Sequence, residues 1–510
     1  MISSQDSPQA TIAKGAALIL AGMLFSRILS YAYRIVLARA GGMEEFGILF
    51  LGISTIAVGG GLAGIGLDLG VARFVPYYAG KGDEIRLRSM LRYALSASLV
   101  SGLGAGALLW LIGPWAAANL LHNFPLGQAM PICAACLPFT VTGRILVKTV
   151  TAFQKIGYRV AISQVLNPLI RLILTVSLLV AGFGVTGALW AYTIGEAFST
   201  ITLLYLVEKR IFPVFNLREK RHERIFEARA FIVYSLPLFL AGIIDLVMNY
   251  TDAYMSAYFL DNARVGLYGA AVTLASLVAL GTELLNPMFL SIITRDYALG
   301  NQTGIVSSYN NNNRWMWYIT LPMAAFLIAL PGESMSLLWG KSFANGAWPL
   351  AILAFGRAIY YLSTTSSVML YMHGATRIIL SANLCSASLN VILNYCLIPR
   401  LGITGAAIGT TVSLTLQSLF LVWGTHFYHR GQGLRVFFSG IFAAAVIPAT
   451  ILLLLKNHFP VSWSVIIGLA ISYSAIYFLL LKVFRVFSAE DYRIWEAILA
   501  RLRGKKSENS

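Results

Sequence analysis

Apolar runs long enough to cross a bilayer recur along this chain from Lys14 to Lys482, with only short polar segments between them. A helix needs about 20 residues to cross a hydrocarbon core of about 30 Å, and the alternating segments of a membrane β-barrel are absent from the sequence. Only 12% of the residues are charged and 58% are hydrophobic, against roughly 25% charged in soluble domains. The sequence therefore predicts an all-α membrane protein and excludes a soluble globular fold.

Each apolar run predicts one transmembrane helix, which gives about fourteen helices in all. In chain order, the predicted helices span 14–38, 47–72, 92–113, 129–153, 160–182, 187–207, 230–258, 265–294, 315–331, 348–372, 377–399, 403–426, 436–455 and 463–487. The bounds follow the points at which polar or charged residues interrupt the apolar runs.

The distribution of basic residues predicts the orientation of these helices. If the N-terminus lies in the cytoplasm, most of the 38 Lys and Arg residues fall in cytoplasmic segments, as the positive-inside rule requires. The basic residues then left outside are Arg39, Arg264, Lys341, Arg400 and Lys456. We therefore predict a multi-pass plasma-membrane protein with both termini in the cytoplasm. The net charge of +17 is explained by helix orientation and by contact with membrane lipids, so nucleic acid is not an expected partner.

No predicted outside segment is long enough to form a catalytic domain, so the sequence does not favour an enzyme. The four cysteines all lie inside apolar segments, and the pair Cys133 and Cys136 has no second pair or histidine cluster beside it. Such a pair more often packs helices than binds a metal. Gly59, Gly61 and Gly64 likewise predict close packing or bending of a helix, because no strand precedes them.

An internal repeat divides the chain. The segment Phe183-Gly-Val-Thr-Gly-Ala188 reappears as Leu401-Gly-Ile-Thr-Gly-Ala406, 218 residues later, and Phe46-Gly47 and Pro114 match Val265-Gly266 and Pro331 at nearly the same spacing. Two sets of six helices enter the membrane in the same direction, so their pseudo-two-fold axis runs along the membrane normal. The predicted parts are a six-helix lobe (1–207), an interlobe linker (208–229), a second six-helix lobe (230–426), helices 13 and 14 (427–487) and a basic tail (488–510).

Ionisable residues inside membrane helices are costly and usually face a cavity or a partner. Three residues share one face of the first predicted helix: Arg27, Tyr31 and Arg34. The repeat offset places them opposite three residues of the seventh: Asp245, Asn249 and Asp252. We therefore predict a basic, substrate-binding stripe that faces an acidic, gating stripe across a central cleft. The alternative is that these charges bond backbone or water within their own lobe.

Other intramembrane charges extend this set. Arg144 on the fourth and Arg171 on the fifth predicted helix are further substrate-binding candidates, although Lys148, one turn from Arg144, can instead extend to the membrane surface. The remaining gating or cavity candidates are Asp68, Glu196, Glu283 and Arg357.

Several segments resemble the polysaccharide-export flippases, the Wzx-type O-antigen and teichoic-acid translocases. They are Ser26-Arg-Ile-Leu-Ser-Tyr-Ala-Tyr-Arg-Ile-Val-Leu-Ala-Arg39, Glu45-Phe-Gly47, Ser235-Leu-Pro-Leu, Val265-Gly-Leu-Tyr268 before Ala270-Ala271, and Ile398-Pro399 leading into Gly405-Ala-Ala-Ile408. The resemblance covers nearly the whole chain and places it in the multidrug/oligosaccharidyl-lipid/polysaccharide (MOP) superfamily, beside the multidrug and toxin extrusion (MATE) proteins and the lipid II flippase.

The resemblance implies a V-shaped, MATE-like transporter fold that moves a polyprenyl-diphosphate-linked oligosaccharide across the membrane by alternating access. Arg27 and Arg34 stand where related flippases carry cavity arginines. The implied partners are the lipid-linked oligosaccharide and membrane lipids, with a polysaccharide polymerase and glycosyltransferases as candidate protein partners. A proton or Na⁺ is the candidate coupling ion, and no other cofactor is expected.

Two other functions stay open. One is a cation-coupled multidrug antiporter of the same superfamily; the two additional helices and the basic first lobe favour the flippase over it. The other is a membrane glycosyltransferase or O-antigen polymerase, which would need catalytic groups in substantial outside loops. Glu44 and Glu45 in a short turn are weak support for that function.

Overall fold

A computed structural model describes residues 8–215, 228–429, 433–456, 462–488 and 491. Most of the predicted interlobe linker, 208–229, and of the predicted basic tail, 488–510, lies outside these residues. Every regular element within the described residues is a helix.

We label fourteen consecutive helical segments of the described residues α1 to α14. The first two, α1 and α2, lie within Pro8–Ala63 on either side of a kink at Gly42, and α2 continues through Leu67–Gly80. The others are α3 (Glu84–Asn119), α4 (Phe124–Ala152), α5 (Ile156–Arg159, Val160–Leu166 and Asn167–Val180), α6 (Gly184–Leu206 and Val207–Ile211), α7 (Ala228–Phe259), α8 (Asn262–Ala275, Ser276–Ala279 and Leu280–Ala298), α9 (Gln302–Ala329 and Pro331–Trp339), α10 (Ala347–Met372), α11 (Thr376–Leu401), α12 (Ile403–Tyr428), α13 (Ser439–Leu455) and α14 (Trp463–Val483).

Each predicted span falls on one of these segments. Among the described residues, nine helices are long and apolar enough to cross a membrane, or ten if the bent pair in α9 is one span. The larger count is four below fourteen because the kinked α1 and α2 count as a single helix, α13 is short, and α6 and α10 are not apolar enough. The chain is a multi-span, all-helical membrane protein.

The glycines of α2 both pack and break the helix. A Cβ atom on Gly59 would lie 3.1 Å from Leu137 of α4, and one on Gly61 would lie 2.8 Å from Leu246 of α7. The helix then breaks at Gly66, where φ is 67°. A Cβ atom there would lie 2.5 Å from the carbonyl oxygen of Ser235. Only glycine combines this backbone angle with so close an approach.

The two glycines that mark the sequence repeat meet in the structure. A Cβ atom on Gly47 of α2 would lie 2.1 Å from the carbonyl oxygen of Asn262, and one on Gly266 of α8 would lie 2.0 Å from the carbonyl oxygen of Met43. Each glycine thus packs against the carbonyl group four residues before the other. Asn123 and Asn262 exchange amide hydrogen bonds beside this contact, one of them at 3.2 Å. We call these four backbone and side-chain contacts the glycine contact.

The repeat is not reproduced at its prolines. Pro114 lies inside the continuous helix α3, whereas α9 bends by 86° between Gln302–Ala329 and Pro331–Trp339. A proline removes one backbone hydrogen bond from a helix, and the surrounding packing decides whether the helix bends there.

Packing divides the chain into two compact units. The first comprises Met1–Ala270, Leu338–Phe343 and Asn383–Gly409, and the second comprises Ala271–Leu337, Ala344–Ala382 and Thr410–Ser510. In the second unit, α13 and α14 share an apolar core with α9. The Tyr473 hydroxyl donates to the Ala445 carbonyl at 3.1 Å. These units are defined by packing, and the division into repeat lobes stays a prediction.

Candidate functional site

A polar cavity of about 340 Å³ lies inside the first unit. Its residues come from α1, α2, α4, α5 and α6, all of which fall in the predicted N-terminal lobe. Its lining is Ser26, Ser30, Asp68, Thr140, Gly143, Arg144, Val147, Lys148, Ser163, Asn167, Pro168, Arg171, Tyr192, Glu196 and Ser199. Five of these side chains are ionisable as Asp, Glu, Lys or Arg, which is unusual in membrane helices and typical of substrate or ion paths.

The α5 side of the cavity begins at a π-helix, Val160–Leu166, which is followed by Pro168. Single-turn π-helical stretches often occur at functional sites, because they turn side chains away from the regular helical positions. Ser163, Asn167 and Arg171 follow one another at intervals of four residues and line the cavity together. Ser163 Oγ, Asn167 Oδ1 and Arg171 Nε are buried and have no hydrogen-bond partner among the described residues.

Gly195 of α6 allows Asn167 and Arg171 of α5 to pack closely against the α6 backbone. A Cβ atom on Gly195 would lie 2.7 Å from Cγ of Arg171 and 3.0 Å from Oδ1 of Asn167. Any other residue at this position would displace the Arg171 side chain and crowd that of Asn167, because a Cβ atom almost never comes closer than 3.0 Å to another heavy atom. Close packing against Gly195 therefore fixes the stem of Arg171.

Arg171 forms an ion pair with Glu196 of α6, through its Nη2 atom and the Oε1 atom of the glutamate. The two side chains are only 12% and 19% exposed. The Arg171 guanidinium also lies over the Tyr192 ring, 3.8 Å from its centre, where the negative face of the ring attracts a cation. Charge, ring and packing thus set the position of this arginine.

Two further cations line the same cavity without such partners. Arg144 and Lys148 lie one turn apart on α4. Neither has a hydrogen bond or ion pair within the described part of the chain. Unpaired charges are costly away from water, so two adjacent cations in a membrane cavity favour an anionic ligand. A phosphate group accepts hydrogen bonds from both arginine and lysine.

Asp68 provides a second acidic group on the wall. It lies in the first turn of Leu67–Gly80, the part of α2 that restarts after the break at Gly66. The break in α2 therefore places Asp68 in the cavity.

The predicted basic stripe on α1 lies next to the cavity wall. The α1 residues that line the cavity are Ser26 and Ser30. Arg34 is half-buried, and its Nε donates to the Tyr33 hydroxyl at 3.4 Å. The roles assigned to Arg27, Tyr31 and Arg34 stay predictions.

The residues of the predicted acidic stripe on α7 differ in burial. Asp245 and Asn249 are exposed, and the Asn249 amide donates to the Asp245 carbonyl oxygen at 2.7 Å. Asp252 is buried, with 6% of its surface exposed, and accepts a hydrogen bond from the Tyr268 hydroxyl of α8. Their pairing with the basic stripe stays a prediction.

The two candidates of the second unit are not among the residues that line this cavity. Arg357 of α10 donates to the Val272 carbonyl oxygen of α8 at 3.1 Å, just before that helix tightens at Ser276–Ala279. This contact supplies a partner to the backbone at an irregular turn. Glu283 is half-buried on α8. Both stay gating candidates by prediction only.

The second unit also holds a larger, almost wholly apolar cavity of about 500 Å³. It lies among α9, α10, α12 and α13, with residues such as Leu321, Phe355, Phe442 and Val446 on its wall. An apolar cavity of this kind suits hydrocarbon and not a charged group.

A pair of histidines lies at the ends of α10 and α12. The Nε2 atoms of His373 and His429 are 2.6 Å apart, and the His373 ring stacks on Tyr428. Burial, followed by the neighbouring His429, lowers the pKa of His373 below its ordinary value. His426, on the same helix as Tyr428, is exposed.

The sequence predicts part of this cavity lining, because Asp68, Arg144, Arg171 and Glu196 are charged residues inside apolar segments. It does not predict the pairing of Glu196 with Arg171, the contribution of Tyr192, or the buried polar atoms of α5 that have no partner among the described residues. The spacing of Ser163, Asn167 and Arg171 was a usable signal, because it places three polar residues on one face of an apolar helix.

Comparison with known proteins identifies the family. The sequence profile of the family described as "Polysaccharide biosynthesis protein" matches residues 12–293, more than half of the chain. A probable low-salt glycan biosynthesis flippase, Agl15 of Haloferax volcanii, is 22% identical over 192 residues, which cover 38% of this chain and 41% of that protein.

Two solved structures share the fold. The lipid II flippase MurJ in an inward closed conformation matches with a TM-score of 0.70 at 17% identity, over 91% of this chain and 98% of that chain. A multidrug resistance MATE family transporter of the MOP superfamily, in an inward-facing conformation, matches with a TM-score of 0.68 at 15% identity, over 81% and 98%. These matches confirm the prediction of an all-helical, MATE-like fold. The chain belongs to the polysaccharide biosynthesis protein family.

Proposed function

We propose that this protein is a flippase that moves a polyprenyl-diphosphate-linked oligosaccharide across the plasma membrane for surface polysaccharide synthesis. The observation that carries the proposal is a pair of cations, Arg144 and Lys148, that have no partner among the described residues and line a membrane cavity together with Arg171. A diphosphate is a compact anion that such a group can bind through charge-assisted hydrogen bonds.

The rest of the cavity fits the head of such a substrate. Its volume of about 340 Å³ is at the lower end for ligand pockets, so it can take the diphosphate and the sugar next to it. Ser163 and Asn167 supply hydrogen-bonding groups that suit sugar hydroxyls. The prenyl chain can stay among lipid chains, since it gains nothing from leaving an apolar solvent.

In this proposal the two repeat lobes alternate between an inward-open and an outward-open arrangement around the bound head group. Arg27, Tyr31 and Arg34 bind the diphosphate with the cavity cations in one arrangement. Both termini lie in the cytoplasm, and a proton or Na⁺ drives the cycle. The candidate glycans are O-antigen and teichoic-acid units, and glycosyltransferases and a polymerase act before and after the flippase.

A deletion strain tests this proposal. Loss of the protein should remove the surface glycan and leave its lipid-linked precursor in the membrane. The wild-type gene should restore the glycan, and so should Arg264→Gln, which changes an exposed arginine that is paired with Asp261 at 3.5 Å. The double variant Arg144→Gln, Lys148→Gln should not restore it, although the protein still reaches the membrane.

The antiporter is the second candidate, because the fold is shared with a multidrug resistance transporter and Asp68 and Glu196 could bind a cation. The same strain separates the two functions. Drug sensitivity with an intact surface glycan would support the antiporter and contradict the flippase.

A further inference from the structure

Packing and a ring contact position the Arg171 side chain. Gly195 packs against its stem, and the centre of the Tyr192 ring lies 3.8 Å from its guanidinium carbon. The partner is the Glu196 carboxylate. Both groups line the cavity, so a ligand that enters the cavity reaches this ion pair directly.

A carboxylate and a phosphate use an arginine in the same way. Each presents two oxygen atoms to the donor fork of the guanidinium. The Nε donor of Arg171 has no partner among the described residues, whereas its Nη2 atom donates to Glu196. A diphosphate that binds Nε and Nη2 together therefore competes with Glu196 for the Nη2 donor.

We propose that Glu196 competes with the substrate diphosphate for Arg171, so that substrate binding exchanges one anion of the arginine for another. This inference rests on the proposed function. Its consequence is a moderate affinity. A transported ligand must bind well enough to enter and weakly enough to leave on the other side, and an internal competitor weakens binding without removing the binding group.

The competing interpretation is that Glu196 holds Arg171 in its binding position. The two roles predict opposite effects of Glu196→Gln, which keeps the shape of the side chain and removes its charge. Loss of a competitor tightens anion binding, whereas loss of a support weakens it. Asp68→Asn is the matched control, because it removes the other carboxylate of the cavity, which has no ion pair with a described residue.

The experiment measures binding of inorganic pyrophosphate and geranyl diphosphate to the purified full chain in detergent, by calorimetry. We expect Glu196→Gln to bind pyrophosphate about tenfold more tightly than wild type, near the lower end of couplings between close charge pairs. Asp68→Asn should change the affinity by clearly less. In an Arg171→Gln background, the additional Glu196→Gln change should raise the affinity for pyrophosphate by no more than Asp68→Asn does in the wild-type background. The reason is that the arginine for which the two anions compete is gone.

Glu196→Ala, with a smaller side chain, should also tighten binding and serves if Glu196→Gln fails to fold. Equal or weaker binding by a folded Glu196 variant, with measurable binding by wild type, would overturn this inference and leave the proposed function standing. No binding of either probe by wild type or by any variant would overturn both.

Discussion

Gly266→Ala tests whether the glycine contact stabilises the observed conformation. The added carbon would lie 2.0 Å from the carbonyl oxygen of Met43, whereas real Cβ atoms essentially never come within 3.0 Å of another heavy atom and ordinary contacts begin at 3.4 Å. The obstacle is backbone and not a flexible side chain. The backbones of α2 and α8 must therefore separate by about 1.0 to 1.4 Å.

The magnitude follows from this separation. Overpacking of a closely packed site costs about 1–3 kcal/mol. The separation also strains the two amide hydrogen bonds between Asn123 and Asn262, each worth about 0.5–1.5 kcal/mol. We expect a total destabilisation of about 2–6 kcal/mol, and about the same for Gly47→Ala, where the closest backbone oxygen lies at 2.1 Å.

The assay is thermal unfolding of the purified protein in detergent. The matched control is Gly468→Ala in α14, where an added carbon would meet nothing within 4 Å. This control should be unchanged or more stable by up to about 1 kcal/mol, since alanine favours a helix over glycine. Equal unfolding temperatures for Gly266→Ala and Gly468→Ala would refute the reasoning.

The remaining predictions concern topology, the two charged stripes and pH. A reporter fused after Arg221 should report the cytoplasm and one fused after Asn345 the outside; two signals on the same side would contradict the topology. If Arg27 and Asp245 pair across the lobes, the charge swap Arg27→Asp, Asp245→Arg should recover stability that each single change loses, and strictly additive losses in a double-mutant cycle would show that they do not meet. Because the pKa of His373 is lowered in the folded protein, the unfolded chain binds more protons, so stability should be full above about pH 6.5 and fall below it. His373→Gln should reduce this loss of stability on acidification, and His426→Gln, at an exposed position of α12, should not. Melting curves of His373→Gln and wild type that coincide at all pH values would show that the histidine pair does not set the pH dependence.

The positions of the helices could be predicted because bilayer thickness sets the length of an apolar run. The irregular parts could not. The π-helix Val160–Leu166 and the break at Gly66 depend on neighbouring helices, and nothing in the local composition fixes which of several glycines takes a positive φ.

The cavity was partly predictable for a similar reason. Charges inside apolar segments identified Arg144 and Arg171, but Arg171 and Glu196 pair across two helices and are 25 positions apart in the sequence. The spacing of residues shows which of them share one face of a helix, but it does not show which neighbouring helix or cavity that face meets. The cavity is lined by Ser26 and Ser30 of α1, one position away from the predicted stripe that begins at Arg27.

The proposal that cavity cations bind the diphosphate is tested most directly by translocation in proteoliposomes. The substrate is a fluorescent polyprenyl-diphosphate oligosaccharide. The test variant carries both Arg144→Gln and Lys148→Gln, and the control variant carries Arg264→Gln. Two charge-assisted hydrogen bonds are worth about 1.5–3 kcal/mol each, so the double variant should lose about a hundredfold or more in substrate affinity and move substrate correspondingly slowly at low concentration. The control should move substrate at the wild-type rate. Equal translocation by the double variant and wild type would contradict the account.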